Sequence, residues 1–474
     1  MADKYKMLAK NTAVLGISQF GTKVLTFLLV PFYTYVLSTS EYGDTDVIHT
    51  TTTLATYLFT LNIADAVLRF AIEKRENSRD IFKFAHTVIF IGTVLLSLLS
   101  IGIHCLGIVN WPFYYYGFMI FGFFTNSLST LCTNYLKAIN KVSHVAIAGF
   151  ICTAVIIACN LLFLLAFKWG LVGYLLSTII GHIVLLIYCY ANIGERGQIN
   201  NIKCSWQIKK EMIMYAIPLI FNSLAWWVNS SLDKYFILYF YTSSENGIYG
   251  ASSKIPLILS TVLSIFIQAW SLSAITEFDR EDKDGFFRNT YNMFCTVLMV
   301  GCSFLVFGNI FIVMTFSKKF FEAWTCSSIL LLSGVFNGLS SFLGSIFSAA
   351  KNSKLIAVST IAAAGMNTVL NFILIPRFGI QGAAVATALS FCLMWFMRMV
   401  TLKKIIELKV NHLKYISCFV LIVIQVVFER LPDHFYPGQA VILLIIVLLN
   451  YKTLVTALNK VVAKYIKRGK NEQK

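Results

Sequence analysis

Long apolar runs broken by short polar stretches set the pattern of this chain. A window of about 19 residues, close to the length one transmembrane helix needs, finds apolar segments near 9–37, 47–71, 85–107, 113–136, 145–167, 171–192, 213–241, 248–272, 290–314, 326–348, 355–375, 381–402, 414–428 and 439–459. The pattern predicts an all-α polytopic membrane protein of about fourteen transmembrane helices, because a backbone inside a bilayer must satisfy its own hydrogen bonds. The first segment lacks a short apolar core followed by a small-x-small cleavage site, and it reads as a span rather than a signal peptide.

Composition agrees: 57% of the 474 residues are hydrophobic, 13% are charged and the mean hydropathy is +0.73. At roughly 20 residues per span, fourteen helices take most of the chain, and no polar stretch remains for an aqueous domain. A disordered chain, a collagen and a coiled coil are excluded on the same grounds.

The net charge of +17 would suggest nucleic acid in a soluble protein, but its distribution gives it another meaning. With the N-terminus cytoplasmic, the tails and even-to-odd loops carry about 29 Lys and Arg, among them Lys74, Arg75, Arg79, Lys209, Lys210, Lys403, Lys404 and Lys467. The opposite loops carry about five: Lys168, Lys318, Lys319, Arg377 and Arg430. This asymmetry predicts both termini in the cytoplasm and a multi-pass protein of the inner or plasma membrane, with anionic lipid as a by-product contact and no nucleic-acid partner.

The chain also repeats itself. Ser40-Glu41-Tyr42-Gly43 lies 204 residues before Ser244-Glu245-Asn246-Gly247; Ala138, Ala146 and Asn160 lie 211 before Ala349, Ala357 and Asn371; Gly170 and Gly173 lie 209 before Gly379 and Gly382. Six spans separate each pair, and an even number preserves orientation. The expected organisation is therefore an N-lobe (1–212), a C-lobe (213–402) and two further helices with a basic tail (403–474), the lobes related by an axis along the membrane normal and carrying a site between them.

Charge at bilayer depth costs at least about 2.5–3.5 kcal/mol per residue, so each such residue needs a partner, water or a function. Lys23 lies about 13 residues into the first span, too deep to snorkel comfortably, with Ser18, Gln19, Thr22 and Thr26 on the same face. That face is expected to meet water or ligand; pairing with an acid of another helix is the alternative. In the seventh span, Asn222, Trp226, Asn229 and Asp233 recur along one stripe with Lys234 beside them. The stripe is either a cavity wall, where the indole suits a sugar ring, or an interhelical hydrogen-bond seam. Asp65 and Arg69 form an i, i+4 pair near Glu73 and Lys74, readable as an interfacial ion pair or as cavity groups. Lys254, just before Pro256, could snorkel or face the cavity. Pro31, Pro218 and Pro256 favour kinks, and Gly334-x-x-x-Gly338 suggests close helix packing.

No GxxxxGK[ST], GxGxxG or HExxH is present, and eleven scattered cysteines contain no CxxC. Nucleotide hydrolysis, dinucleotide chemistry and zinc hydrolysis lack their parts. No metal or cofactor is expected and the protein reads as a transporter, not an enzyme, with a coupling ion, H+ or Na+, left open; of seven isolated histidines only His49 and His182 are candidate proton sites.

The stretches PFYTYVLSTSEYGD (31–44), ADAVLRF (64–70), SLDKYFILYF (231–240), GIYGASSK (247–254) and RFGIQGAAVAT (377–387) resemble the polysaccharide transporter family of O-antigen and capsule repeat-unit flippases, within the multidrug/oligosaccharidyl-lipid/polysaccharide exporter superfamily. The resemblance implies movement of a polyprenyl-pyrophosphate-linked oligosaccharide to the outer leaflet through a cationic cavity by alternating access, alongside other polysaccharide-assembly proteins. Lys23 and Asp233-Lys234 match positions where such proteins often carry charge. Rival readings are a lipid II flippase, a cation-coupled multidrug exporter and, from another class, a membrane glycan polymerase or ligase, for which the outer loops of about ten residues leave little room.

Overall fold

The computed structural model describes residues 20–471 apart from 110, 194–204, 279–282, 404, 407, 409 and 410, and no strand occurs among them. The helices are α1 (Phe20–Val36), α2 (Thr39–Phe59), α3 (Ile63–Glu73), α4 (Ser78–Cys105), α5 (Phe113–Ala138), α6 (Val142–Asn160, continued by a π turn Leu161–Ala166), α7 (Gly170–Ile193), α8 (Trp206–Phe240), α9 (Ser243–Ser252), α10 (Lys254–Glu277), α11 (Lys283–Phe307), α12 (Ile310–Thr315), α13 (Ala323–Ala349), α14 (Ser353–Leu402), α15 (His412–Phe428) and α16 (Tyr436–Asn471). Among the described residues, nine helical segments are long and apolar enough to cross a membrane, and α2 and α3, bent by 50° at their break, make a tenth. The 50-residue α14 holds two spans, because Gly379, at φ 58° and ψ −143° just after Pro376, breaks the helical path. With α1, α5 and α15 this gives the fourteen spans expected.

The surface is that of a chain in hydrocarbon. On α4, Ile81, Ala85, Ile89, Gly92 and Leu96 are buried at helical spacing, whereas Phe90, Ile91, Leu95 and Leu98 are exposed. In water so continuous an apolar stripe would drive association; in lipid it is the solvent-compatible face.

The chain forms two compact units, Met1–Gly250 and Ala251–Lys474. The expected lobe boundary near residue 213 does not coincide with this division. α8 and most of α9 belong to the first unit, since α8 packs on α2 and α3, and α9 crosses α2.

That crossing explains the first repeat. A Cβ on Gly43 would stand 1.9 Å from the Ser243 carbonyl oxygen, and one on Gly247 would stand 1.9 Å from that of Thr39. Only two glycines allow the backbones to meet this closely. Thr39 Oγ1 and Ser244 Oγ are 2.6 Å apart, and Asn246 Nδ2 donates to the Gly43 carbonyl at 3.0 Å. The glutamates of the repeat serve the helix starts. Glu41 and Ser38 form a capping box at α2, the second Glu41 oxygen accepts from Leu171 N at 3.4 Å, and Glu245 accepts from Thr242 Oγ1 ahead of α9. The second repeat marks equivalent ends: Ala138 and Ala349 close α5 and α13, and Gly170 and Gly379 both have positive φ, 52° and 58°.

Within the second unit, the Gly334 and Gly338 motif lets α13 approach Leu259 and Leu263 of α10. Arg398, which sequence reasoning passed over, is buried and clamps α13 to α14, donating to the Ser340 carbonyl (2.8 Å), Ser359 Oγ (2.9 Å) and Thr360 Oγ1 (3.0 Å). The last two helices dock on α11 through matched polar pairs: Ser303 Oγ to Gln425 Oε1 at 2.7 Å and Thr296 Oγ1 to Asn450 Oδ1 at 2.9 Å.

The crossing makes a prediction. Gly43→Ala and Gly247→Ala force backbone apart and should each destabilise the detergent-purified protein by about 1–3 kcal/mol or more. Gly301→Ala, with nothing within 4 Å of its Cβ position, should be neutral or gain roughly 0.5–1 kcal/mol. Thermal unfolding of the three variants checks this, and equal melting temperatures would remove the crossing from the account.

Candidate functional site

The polar centre of the first unit is built on α2, whose sequence HTTTTLATYLFT (49–60) puts hydroxyls at bilayer depth. The helix satisfies them itself. Thr50, Thr51, Thr52, Thr53, Thr56 and Thr60 each donate to the carbonyl four residues back, at 2.6–3.0 Å. Their oxygens keep acceptor capacity, so the face stays polar without an unsatisfied donor.

Onto this face α8 brings Lys234. Its Nζ lies 2.8 Å from Asp46 Oδ2 and 3.2 Å from Thr50 Oγ1, with both charged side chains 14% exposed. Neighbouring contacts fix the geometry: Tyr235 OH and Thr51 Oγ1 are 2.6 Å apart, and Trp227 Nε1 donates to the Thr50 carbonyl at 3.2 Å. Asp233, next in the chain, is turned the other way and buried; it accepts from Tyr249 OH and from the Lys234 backbone N–H (3.0 Å). The two adjacent charges therefore do different work. Asp233 holds α9 against α8, while Lys234 reaches α2.

Below the threonines, α2 ends and α3 begins through Leu61 and Asn62, both with positive φ (54° and 51°). Asn62 Nδ2 donates to Ser223 Oγ of α8 at 2.9 Å. The break borders a cavity of about 220 Å³ lined by Thr53, Thr56, Tyr57, Thr60, Asn62, Ile63, Ala64 and Asp65 on one side and by Ile89 of α4 with Asn126, Ser127 and Thr130 of α5 on the other. Hydroxyls, amides and one carboxylate around a hollow inside a span suit a polyhydroxylated ligand or water.

The structure redistributes the other expected residues. Lys23 is exposed on α1, and Gln19 and Ser18 lie outside the described residues. The seventh-span stripe divides: Asn229, donating to the Ala225 carbonyl at 2.9 Å, and Asp233 are buried, Trp226 is half-buried and Asn222 is exposed. The anchored indole is that of Trp227, not Trp226. The expected Asp65–Arg69 pair is not formed. Arg69 Nε instead pairs with Glu73 at 2.9 Å and stacks over Tyr215 at 4.6 Å, while Asp65 accepts from Asn134 Nδ2 at 3.3 Å. Arg69 takes the acid one turn later because Asp65 is drawn toward α5. Lys74 pairs with Glu211 at 2.6 Å. Lys254 is the half-buried first residue of α10. Among candidate proton sites, His49 is exposed and His182 has a buried Nδ1 with no hydrogen bond.

Asp46, Thr50, Thr51, Tyr235 and Tyr249 were missed. The run of four threonines inside an apolar span was the available signal, since lipid-facing positions have no use for it.

Comparison with known proteins places this arrangement. A family model described as polysaccharide biosynthesis protein matches residues 8–272. The chain belongs to that family. It is 22% identical over 411 residues to an uncharacterized membrane protein of Methanocaldococcus jannaschii, covering 81% of this chain and 95% of the relative. It shares its fold with the lipid II flippase MurJ in an inward closed conformation (TM-score 0.70, 16% identity, 93% of this chain and 98% of that one). It also shares it with an inward-facing multidrug resistance MATE family transporter of the MOP superfamily (TM-score 0.61, 10% identity, 82% and 98%). This member of the polysaccharide biosynthesis family is thus a multi-pass membrane protein with a fold used by flippases and exporters.

Breaking the ion pair tests whether it holds α8 to α2. Lys234→Met or Asp46→Asn alone strands a charge at low dielectric and should cost on the order of 3 kcal/mol, and the double variant should lose clearly less than the two together. Thermal unfolding of the four proteins measures the coupling; strict additivity would mean that the two charges do not support each other.

Proposed function

We propose that the protein translocates polyprenyl-pyrophosphate-linked oligosaccharide repeat units from the cytoplasmic to the outer leaflet of the cell membrane, for O-antigen, capsule or another surface polysaccharide. The observation that carries the reading is the hydroxyl- and amide-lined cavity at the α2–α3 break, inside a span of a family named for polysaccharide biosynthesis. A sugar cannot cross about 30 Å of hydrocarbon without such groups to replace its water. In this reading Lys23, with Lys234 or Arg69, holds the pyrophosphate as compact positive charge, Asn222 and Trp226 meet the glycan, and the prenyl tail remains in lipid. Both termini face the cytoplasm, and the site is exposed to each side in turn.

A lipid II flippase is the second reading, favoured by the breadth of the structural match to MurJ; it uses the same chemistry with a different glycan. A proton- or sodium-coupled multidrug exporter is less favoured, since a deep basic residue suits an anionic substrate.

Reconstitution into liposomes with fluorescent lipid-linked glycans decides between them. The parent protein should move a repeat-unit carrier faster than lipid II. Lys23→Ala, normally inserted, should lose at least tenfold in rate, equivalent to about 1.4 kcal/mol, with partial recovery in Lys23→Arg. Parental flipping by Lys23→Ala would strip Lys23 of its role, and transport of lipid II alone would replace the first reading by the second.

A further inference from the structure

The ties that dock the last two helices onto the second unit include a buried carboxylate. Glu429 is the first residue past α15, outside the spanning segment, and is only 3% exposed. Its Oε1 accepts from Asn309 Nδ2 at 2.9 Å, and its Oε2 accepts from Ser328 Oγ. Asn309 stands in the break between α11 and α12, and Ser328 lies on α13. Asn309 also donates to Ser328 Oγ at 2.6 Å and accepts from Ser327 Oγ at 3.0 Å, and all three partners are buried. One carboxyl therefore joins three helical elements at the face expected to be outer.

The neighbouring cation, Arg430, acts on this carboxyl at a distance and opposes the effect of its burial. The Arg430 guanidinium is directed to Gln381 Oε1 at 3.1 Å and the Thr325 carbonyl at 3.4 Å. Among the described residues, the ionisable neighbours include Tyr436 at the start of α16, which feels the Glu429 charge, and Glu322 and Cys326 at the start of α13, beside Arg430.

We propose that the Glu429 carboxyl is a proton-binding site that latches the end of α15 to the α11–α12 break and to α13. The network accepts either state. When Glu429 is ionised, Ser328 donates to Oε2. When a proton adds to Oε2, the carboxyl becomes the donor, and the Ser328 hydroxyl accepts from it and turns its own proton to the Trp324 carbonyl, 3.4 Å away. The bonds that Asn309 makes to Glu429, Ser328 and Ser327 are kept in both states, and the ligand is the proton itself.

The direction follows from burial. Desolvation raises the carboxyl from its ordinary 4.5 to about 7, against the lowering effect of Ser328, Asn309 and Arg430. Because the latched state holds the proton more tightly than a released glutamate, the latch is firmest below about pH 4.5 and loses that contribution as pH rises to about 7. Above that value both states are ionised and the dependence ends.

The test uses the full chain in nanodiscs and needs no substrate. An infrared titration should show a carboxylic-acid carbonyl band that disappears with a midpoint near pH 7 and is absent in Glu429→Gln. That midpoint means proton binding about 300-fold tighter than by an exposed glutamate. The parent melting temperature should fall between pH 5 and pH 7.5, and Glu429→Gln, which mimics the protonated acid, should remove that fall. If Glu429→Gln does not fold, Ser328→Ala supplies the second measurement: loss of a donor to the carboxylate should move the midpoint higher. A midpoint near 4.5, an unchanged band in Glu429→Gln, or the same pH slope in both proteins would overturn the proposal.

Discussion

Inside a bilayer a polar group has no water as an alternative partner, and this constraint accounts for most of the architecture. The polar side chains that join helices at depth meet neighbours of matched chemistry. The threonines of α2 return their protons to their own helix, Arg398 spends its donors on carbonyl and hydroxyl oxygens of α13 and α14, and Lys234 lies against Asp46. In a soluble protein such contacts decorate a core held by apolar burial. Here apolar burial distinguishes little between helix and lipid, so packing and hydrogen bonds choose which helices meet.

The same constraint explains why the glycine crossing and the ion pair occur on the same two stretches of chain. Gly43 and Gly247 bring α2 and α9 to backbone contact, and Asp46 lies one turn beyond Gly43, where Lys234 of α8 reaches it. Asp233, bonded to Tyr249, ties α8 to α9. Three helices thus form a closed set of contacts, each polar member satisfied by the next. A larger residue at the crossing would separate α2 from α9 and loosen the ion pair with it, so the glycines and the charges act as one device.

What the sequence shows follows from length and period. Fourteen spans and the repeat with its offsets, which paired Gly170 with Gly379, were legible, because span length and residue spacing are local properties; that both glycines have positive φ appears only in the structure. Partnerships were not. Asp65 reads as the partner of Arg69 by spacing, yet Glu73 has the same spacing on the other side and Asn134 arrives from another helix. Asp46 was invisible as a partner of Lys234 because 188 residues separate them and no periodicity links the two. The stripe on α8 was found as a stripe, but which of Trp226 and Trp227 is anchored depends on where α2 lies.

The cavity at the α2–α3 break shows how such a chain can carry a polar hollow. A straight helix would satisfy every backbone group and leave no room. The turn at Leu61 and Asn62 frees peptide groups, and Asn134 Nδ2 meets one of them, donating to the Ala64 carbonyl at 3.1 Å, while the Asn62 side chain donates to Ser223 Oγ and ties the turn to α8. Broken backbone is tolerated at membrane depth only where it is buried in protein or lines a cavity, and this break does both. The conformational cost of two non-glycine residues in the left-handed region, of order 1–3 kcal/mol each, is what a straight span would avoid. Its retention beside the hydroxyl-lined cavity ties the strain to the site: without the turn, Asp65 and Asn62 would continue along the α2 axis, and the hollow between α2, α3 and α5 would close.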